Sequence, residues 1–166
     1  MRVAIVMGAL AGLALAGCAN EPVEDPAAQQ RADAQAVQEI VAANTPPPFD
    51  PELQSMDYAD FEREGLLGVS CAFVIDDEVM ALAMQEVGAL KYRGSVEQFA
   101  ADAGSPEGPF DTRVKYDGRQ MSFEMEVSGT QERTGEEVWS QPARLTVRDD
   151  FDRVVFQRAG TAECGS

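Results

Sequence analysis

The sequence predicts a mostly β protein: a small antiparallel β-sandwich or barrel of about six to eight strands, preceded by a signal helix and a Pro/Ala-rich acidic tether with one or two short helices. Three observations carry this prediction. Met121, Phe123, Met125 and Val127 alternate with Ser122, Glu124 and Glu126, the period-two pattern of a strand with one face inside and one in water. Ala143, Leu145 and Val147 repeat that pattern against Arg144, Thr146 and Arg148. The β-branched and aromatic residues gather after Gly65, in short runs punctuated by Gly, Asp and Pro. A hydrophobic share of 45% is ordinary for a folded chain, which excludes wholesale disorder.

At the start of the chain, Met1-Arg2 precedes an uncharged run of Val, Ile, Leu, Met, Ala and Gly over residues 3–16. As a helix this run would be about 21 Å long, short of the roughly 30 Å needed to cross a hydrocarbon core. It has the form of a secretory signal occupying residues 1–17. The run closes on Leu15-Ala16-Gly17-Cys18, which resembles the lipobox of bacterial lipoprotein precursors. The resemblance implies acylation of Cys18, which becomes the mature N-terminus. Several acyl chains would then hold the protein on a membrane without a spanning helix. Ala19 stands where inner-membrane retention signals of that family often carry Asp, which implies the outer membrane, facing the periplasm.

Residues 18–64 read as the tether. Residues 19–64 hold 11 acids and two arginines, together with Pro22, Pro26, Pro46-Pro47-Pro48 and Pro51, so charge repulsion and polyproline segments extend them. The Ala- and Gln-rich stretch 27–44 places Val37, Ile40 and Val41 at helical spacing, a thin stripe on a short helix. Asp50-Pro51-Glu52 reads as a second helix start, with Leu53, Met56 and Phe61 available to dock on the body.

The body, residues 65–166, has 102 residues with 18 acids and 10 bases, enough for one modest core. Residues 66–75 are nearly all apolar and read as a strand buried on both faces. Residues 79–87 are ambiguous between helix and strand; the acidic cluster before them and Gly88 after favour strand. Residues 87–93 and 96–100 read as further strands, and 103–109 as a loop. Asp117-Gly118 between alternating segments predicts a two-residue type I′ hairpin. Residues 128–135 form a polar loop, 149–152 a turn, and 154–157 the last full strand.

With Cys18 lipidated, Cys71 and Cys164 remain, and an oxidising compartment makes them the natural disulfide. Closing about 92 residues is worth roughly 4–5 kcal/mol in the chain-entropy account. Such a bond also requires the first and last body strands to be neighbours.

Several function classes fall away on composition. A chain with no histidine carries neither Ser-His-Asp nor Cys-His catalysis. A net charge of −16 argues against nucleic acid as a partner. Neither a cofactor nor a metal is expected. Asp76-Asp77-Glu78 and Asp149-Asp150-Phe151-Asp152 offer oxygens to calcium but lack EF-hand spacing, and read as solvated turns. Glu136 and Glu137 beside Trp139 suit general acid/base work in composition, but adjacent strand residues face opposite sides. Lys91, Arg93, Arg113, Lys115 and Arg119 would form a basic, partner-binding patch if their strands were neighbours, and would otherwise pair with the body's own acids.

A lipobox, a strand-rich body of about 100 residues and cysteines in its first strand and at its end resemble the membrane-bound inhibitors of C-type lysozyme. Gly88-Ala89-Leu90-Lys91-Tyr92 is similar to that family's Ser-Gly-X-Arg/Lys-Tyr segment, departing from it by Val87 in place of the serine and by an extra residue before Lys91. The resemblance implies a small barrel that presents this segment to a hydrolase cleft. The expected function is therefore that of a non-enzymatic envelope lipoprotein with a β domain for binding a protein or small ligand or for structure. Inhibition of a lysozyme-like cell-wall hydrolase and carboxylate-dependent hydrolysis are the alternatives.

Overall fold

The computed structural model describes residues 25–48 and 50–166. The export signal expected at 1–17 and the lipidation expected at Cys18 lie outside the described residues. Internal contacts divide the chain into two units, residues 1–45 and 46–166.

In the first unit, helix α1 (Pro26–Asn44) begins where Asp25 caps it, its carboxylate accepting from the Ala27 amide at 3.0 Å, with proline at the first helical position. No residue of α1 is buried, and Val37, Ile40 and Val41 are each more than half exposed. Its helicity rests on alanine propensity and the cap. No helix among the described residues is long and apolar enough to cross a membrane.

The second unit is built on eight strands in which each pairs antiparallel with its neighbour: β2 (Ser70–Ile75), β3 (Glu78–Ala83), β4 (Val87–Tyr92), β5 (Ser95–Ala101), β6 (Lys115–Asp117), β7 (Met121–Val127), β9 (Val138–Asp149) and β10 (Val154–Gly165). Pairing of β10 with β2 closes the ring, so the protein is an up-and-down barrel and not a sandwich. Two short strands add to it: β1 (Leu53–Gln54) extends β4 through Leu53 opposite Tyr92, and β8 (Glu132–Arg133) lies beside the start of β9. Residues 79–87 are strand where they pair, as their flanking turns required.

Alternation puts Cys71, Phe73, Leu90, Phe99, Tyr116, Phe123, Leu145, Val147 and Cys164 inside, all at most 1% exposed. The rings of Tyr116 and Phe123 stack with centroids 4.9 Å apart, and Phe99 meets Phe123 edge-on at 5.3 Å. Gly88 makes room for them: a Cβ there would stand 2.5 Å from the Phe123 ring and 2.7 Å from Tyr116. The interior is a packed core.

A second apolar cluster lies outside the wall. Met56, Leu66, Leu82 and Ala89 are buried there beneath the short helix α2 (Tyr58–Glu64). Two-sided burial therefore belongs to β3 and β4 and not to residues 66–75, where Leu67 and Val69 are 49% exposed and β2 alternates. For the same reason the compact unit begins at Pro46 and not at Gly65. Pro51 is fully buried, β1 pairs with β4, and the Asp60 carboxylate of α2 meets Lys91 of β4 at 2.7 Å, so the second half of the expected tether is part of the domain. The helix start expected at Asp50-Pro51-Glu52 is instead an Asp-stabilised turn, with Asp50 accepting from the Glu52 amide at 2.9 Å. Helix α2 starts later, at a reciprocal capping box between Asp57 and Asp60.

The turns differ from expectation in one informative way. Asp117-Gly118 is not a type I′ pair: neither residue has a positive φ, and the Gly118 amide bonds to Met121 O at 2.9 Å across Arg119 and Gln120. Gly118 is needed because a Cβ would sit 2.6 Å from the Phe99 ring. The left-handed two-residue turns are Asp76-Asp77 (φ 52° and 65°) and Arg93-Gly94 (φ 51° and 79°), where registers Ile75 opposite Glu78 and Tyr92 opposite Ser95 leave two residues to reverse the chain.

Candidate functional site

The two ends of the barrel are unlike. One carries the turns at 76–77, 93–94, 118–120 and 150–153; the other carries the short connection 84–86, the long connections 102–114 and 128–137, and the end of the β2–β10 seam where Cys71 meets Cys164. Cys71 and Cys164 stand opposite each other on that seam and are joined, as the compartment argument expected.

At this loop-bearing mouth, residues 109–111 form a single 3₁₀ turn (Pro109–Asp111). Phe110 and Asp111 both occupy the left-handed region, with φ of 57° and 60°. That conformation is unfavourable for a bulky side chain by about 1–2 kcal/mol and persists only where the surroundings impose it. The Thr112 hydroxyl, on a residue 1% exposed, donates to Pro109 O at 2.7 Å; the Thr112 amide donates to the same oxygen at 3.2 Å, and the Gly108 amide donates to Thr112 O at 2.9 Å. The Phe110 ring packs on Trp139, centroids 5.3 Å apart, and the Arg133 guanidinium lies 5.7 Å from the centre of the indole.

Tyr116 ties the mouth to the core. Its hydroxyl donates to Met84 O at 2.6 Å and accepts from the Arg113 amide at 2.9 Å, which links the 84–86 and 102–114 loops through one buried side chain. Burial holds the Tyr116 phenol above its ordinary value of 10.0, so the donor stays protonated. Between these loops lies a groove of about 430 Å³ whose apolar wall is Val69, Met84, Val87 and Phe110, with Glu86 and Asp111 on its rim.

The five basic residues singled out in the sequence do not come together. Strand β5 separates β4 from β6, so Lys91 and Lys115 are not on neighbouring strands. Lys91 is committed to Asp60, whose carboxyl is held below its ordinary value by that hydrogen bond and by the Asp57 amide. Lys115 lies 2.9 Å from Asp117 and 3.6 Å from Asp102, and the Asp117 contact raises its pKa above 10.5. Arg113 pairs with Glu107 at 3.4 Å. Arg93 sits in the β4–β5 turn and Arg119 in the β6–β7 turn, both exposed. Lys91, Arg113 and Lys115 thus pair with the body's own acids.

The acidic clusters are also accounted for. Asp149, 4% exposed, accepts from the Phe151 and Arg153 amides at 3.0 and 2.9 Å and from Arg153 Nε at 2.7 Å. Burial pushes its pKa up, but these hydrogen bonds outweigh burial and hold it below 3.8. The side chain thus organises the β9–β10 turn. No group of three potential metal ligands occurs among the described residues. Glu136 and Glu137 are exposed in the loop before β9; Arg133 donates to the Glu136 carbonyl, and Glu137 Oε2 accepts from the Ser166 hydroxyl at 2.8 Å.

Residues 88–92, which carry the resemblance to lysozyme inhibitors, lie within β4. Ala89 and Leu90 are fully buried, Tyr92 is 5% exposed, and Lys91 is paired, so this segment is wall and core and not a presented loop. Sequence reasoning missed the mouth itself. An aromatic residue at position 110, just after a Gly/Pro loop with no strand pattern around it, was the available signal. Compared with protein-family models, curated proteins and solved structures, the chain matches none.

Proposed function

We propose that this chain is a lipid-anchored lipoprotein of the bacterial envelope, held at the outer membrane through Cys18 and facing the periplasm. Its barrel is a non-enzymatic binding module that engages an envelope partner at the loop-bearing mouth. The observation that carries the binding part is the asymmetry of the two ends. The interior is filled by side chains, and the loop-bearing end holds a groove with an apolar wall beside a Phe110 backbone kept in an unfavourable conformation, whereas the clefts bordering the 93–94 and 118–120 turns are lined mainly by polar and charged residues. The membrane part rests on Leu15-Ala16-Gly17-Cys18.

Two measurements test it. Radioactive palmitate is expected to label the native chain and not Cys18→Ala; equal labelling, or none in either, refutes the anchor. A photo-crosslinking residue at Val69 is expected to give a discrete adduct in intact envelopes, while one at exposed Arg144 on the outer wall gives none. Equal adducts from both positions refute the mouth.

A second reading, inhibition of a lysozyme-like hydrolase, is favoured by the small disulfide-closed barrel that the family resemblance implies. With residues 88–92 inside the wall it would have to present another surface. Stoichiometric inhibition of purified lysozymes by the full chain tests this reading, and no inhibition of any class ends it.

A further inference from the structure

The mouth has a chemistry of its own beyond its shape. The three connections at this end carry seven acids: Glu86 in the first; Asp102, Glu107 and Asp111 in the second; Glu132, Glu136 and Glu137 in the third. Only two bases share them, Arg113 and Arg133. Of the acids, Glu107 is matched by Arg113 and Asp102 by Lys115, while Arg133 turns its guanidinium over the Trp139 ring. Glu86 and Asp111, the two acids on the rim of the groove, take part in no ion pair among the described residues.

An apolar wall of Val69, Met84, Val87 and Phe110 thus sits inside an uncompensated negative rim on a chain whose net charge is −16. Val69 is 49% exposed, which leaves apolar area to be covered by whatever docks. A complementary surface inverts both features, with an apolar side chain to fill the groove and flanking cations to meet the rim. We propose that the mouth binds a basic segment of a protein partner, an exposed Phe- or Leu-sized anchor flanked by Lys or Arg. This names the partner chemistry of the binding module proposed above and rests on that reading. The left-handed turn at Phe110 and Asp111 holds the apolar wall and the acidic rim in place before the partner arrives, which lowers the ordering cost of binding.

Trp139 is the sole tryptophan and packs on Phe110, so the site carries its own reporter. The test is a titration of the purified full chain in non-ionic detergent with the blocked peptide Lys-Lys-Phe-Lys-Lys, followed by Trp139 emission and calorimetry. Lys-Lys-Ser-Lys-Lys and Glu-Glu-Phe-Glu-Glu serve as comparisons. The basic Phe peptide is expected to bind saturably and at least about tenfold more tightly than either comparison, weakening as salt rises. Phe110→Gly, which suits the left-handed backbone, is expected to weaken it about tenfold by removing one apolar wall. The pair Glu86→Gln and Asp111→Asn is expected to weaken it and flatten the salt dependence; Asn tolerates the left-handed region, so the turn is retained. An unchanged thermal midpoint in each variant shows that the fold is intact.

The proposal is overturned if the acidic Phe peptide binds as tightly as the basic one, if the variants bind as the native chain does, or if no peptide saturates. These outcomes are separable from failure of the wider reading. A chain that takes palmitate and crosslinks at position 69 but ignores the basic peptide loses only this partner chemistry.

Discussion

Replacing Tyr116 by Phe removes a single oxygen from the link between two loops of the mouth. The ring stays, stacked on Phe123 and lying over Gly88, so packing is preserved. What goes is the donor to Met84 O and the acceptor for the Arg113 amide, at 2.6 and 2.9 Å. Each hydrogen bond contributes about 1 kcal/mol net, and leaving a buried partner unpaired costs about 1–3 kcal/mol. Met84 and Arg113 are half-buried, so water restores part of the loss and about 2 kcal/mol is the expected sum. The folded unit spans residues 46–166, and at about 2.1 cal/mol/K per residue its unfolding entropy converts that loss into a drop of about 8 °C in Tm. Thermal and urea denaturation measure it. Because the hydroxyl joins two mouth loops, the Arg113 amide is also expected to exchange faster with solvent and Trp139 emission to shift, with far-UV dichroism unchanged. A variant within 0.5 kcal/mol of the native protein by this reckoning, with Trp139 emission unaltered, would refute the role given to this hydroxyl.

Other perturbations follow from the same contacts. The double change Cys71→Ala with Cys164→Ala opens the β2–β10 seam; for residues 93 apart the chain-entropy account gives a loss of about 4–5 kcal/mol, read by urea denaturation, and a loss under about 1 kcal/mol contradicts it. Gly88→Ala drives a Cβ to 2.5 Å from Phe123 and is expected to cost about 1–3 kcal/mol through overpacking, whereas a neutral result would show that the aromatic stack slides freely. Asp60 and Asp149 have folded-state pKa values below 3.8, so their contribution is present above about pH 4 and is lost as pH falls through the folded values. Acid titration is thus expected to raise hydrogen exchange in α2, and Asp60→Asn to remove that pH dependence. Tyr92 and Tyr116 have pKa values raised above 10.0 mainly by burial, so the stability tied to their neutral forms holds below pH 10 and falls as pH rises beyond it. Absorbance titration of the phenolates is expected to lag that of a denatured control.

Much of this fold is legible locally. Alternation identified the inward residues of β7 and the middle of β9, because a strand with one wet face must segregate its side chains with period two. Residues 79–83 are strand, with 84–86 the connection to β4, because the flanks leave too little length for a helix. Local rules failed where a distant element supplied the reason. Gly118 reads as a turn glycine, yet it is there for the Phe99 ring; Asp50-Pro51-Glu52 reads as a helix start, yet Pro51 is drawn into the folded unit. The basic residues of β4 and β6 would form a patch only on neighbouring strands; the strand legible at 96–100 pairs with both and stands between them, an order in the sheet that charge spacing does not carry.

By itself, the sequence determined the β class, the acidity and the two cysteines that pair, and it carries the lipobox-like segment on which the proposed anchor rests. Each follows from composition or from residues adjacent in the chain. Tertiary structure alone decided that the sheet closes into a barrel, that β3 and β4 are covered on both faces, and that the candidate site lies at one mouth. The reason is that these features depend on residues far apart in sequence. Val69, Met84 and Phe110 become one groove only when β2, β3 and the 102–114 loop are brought to the same end of a closed ring.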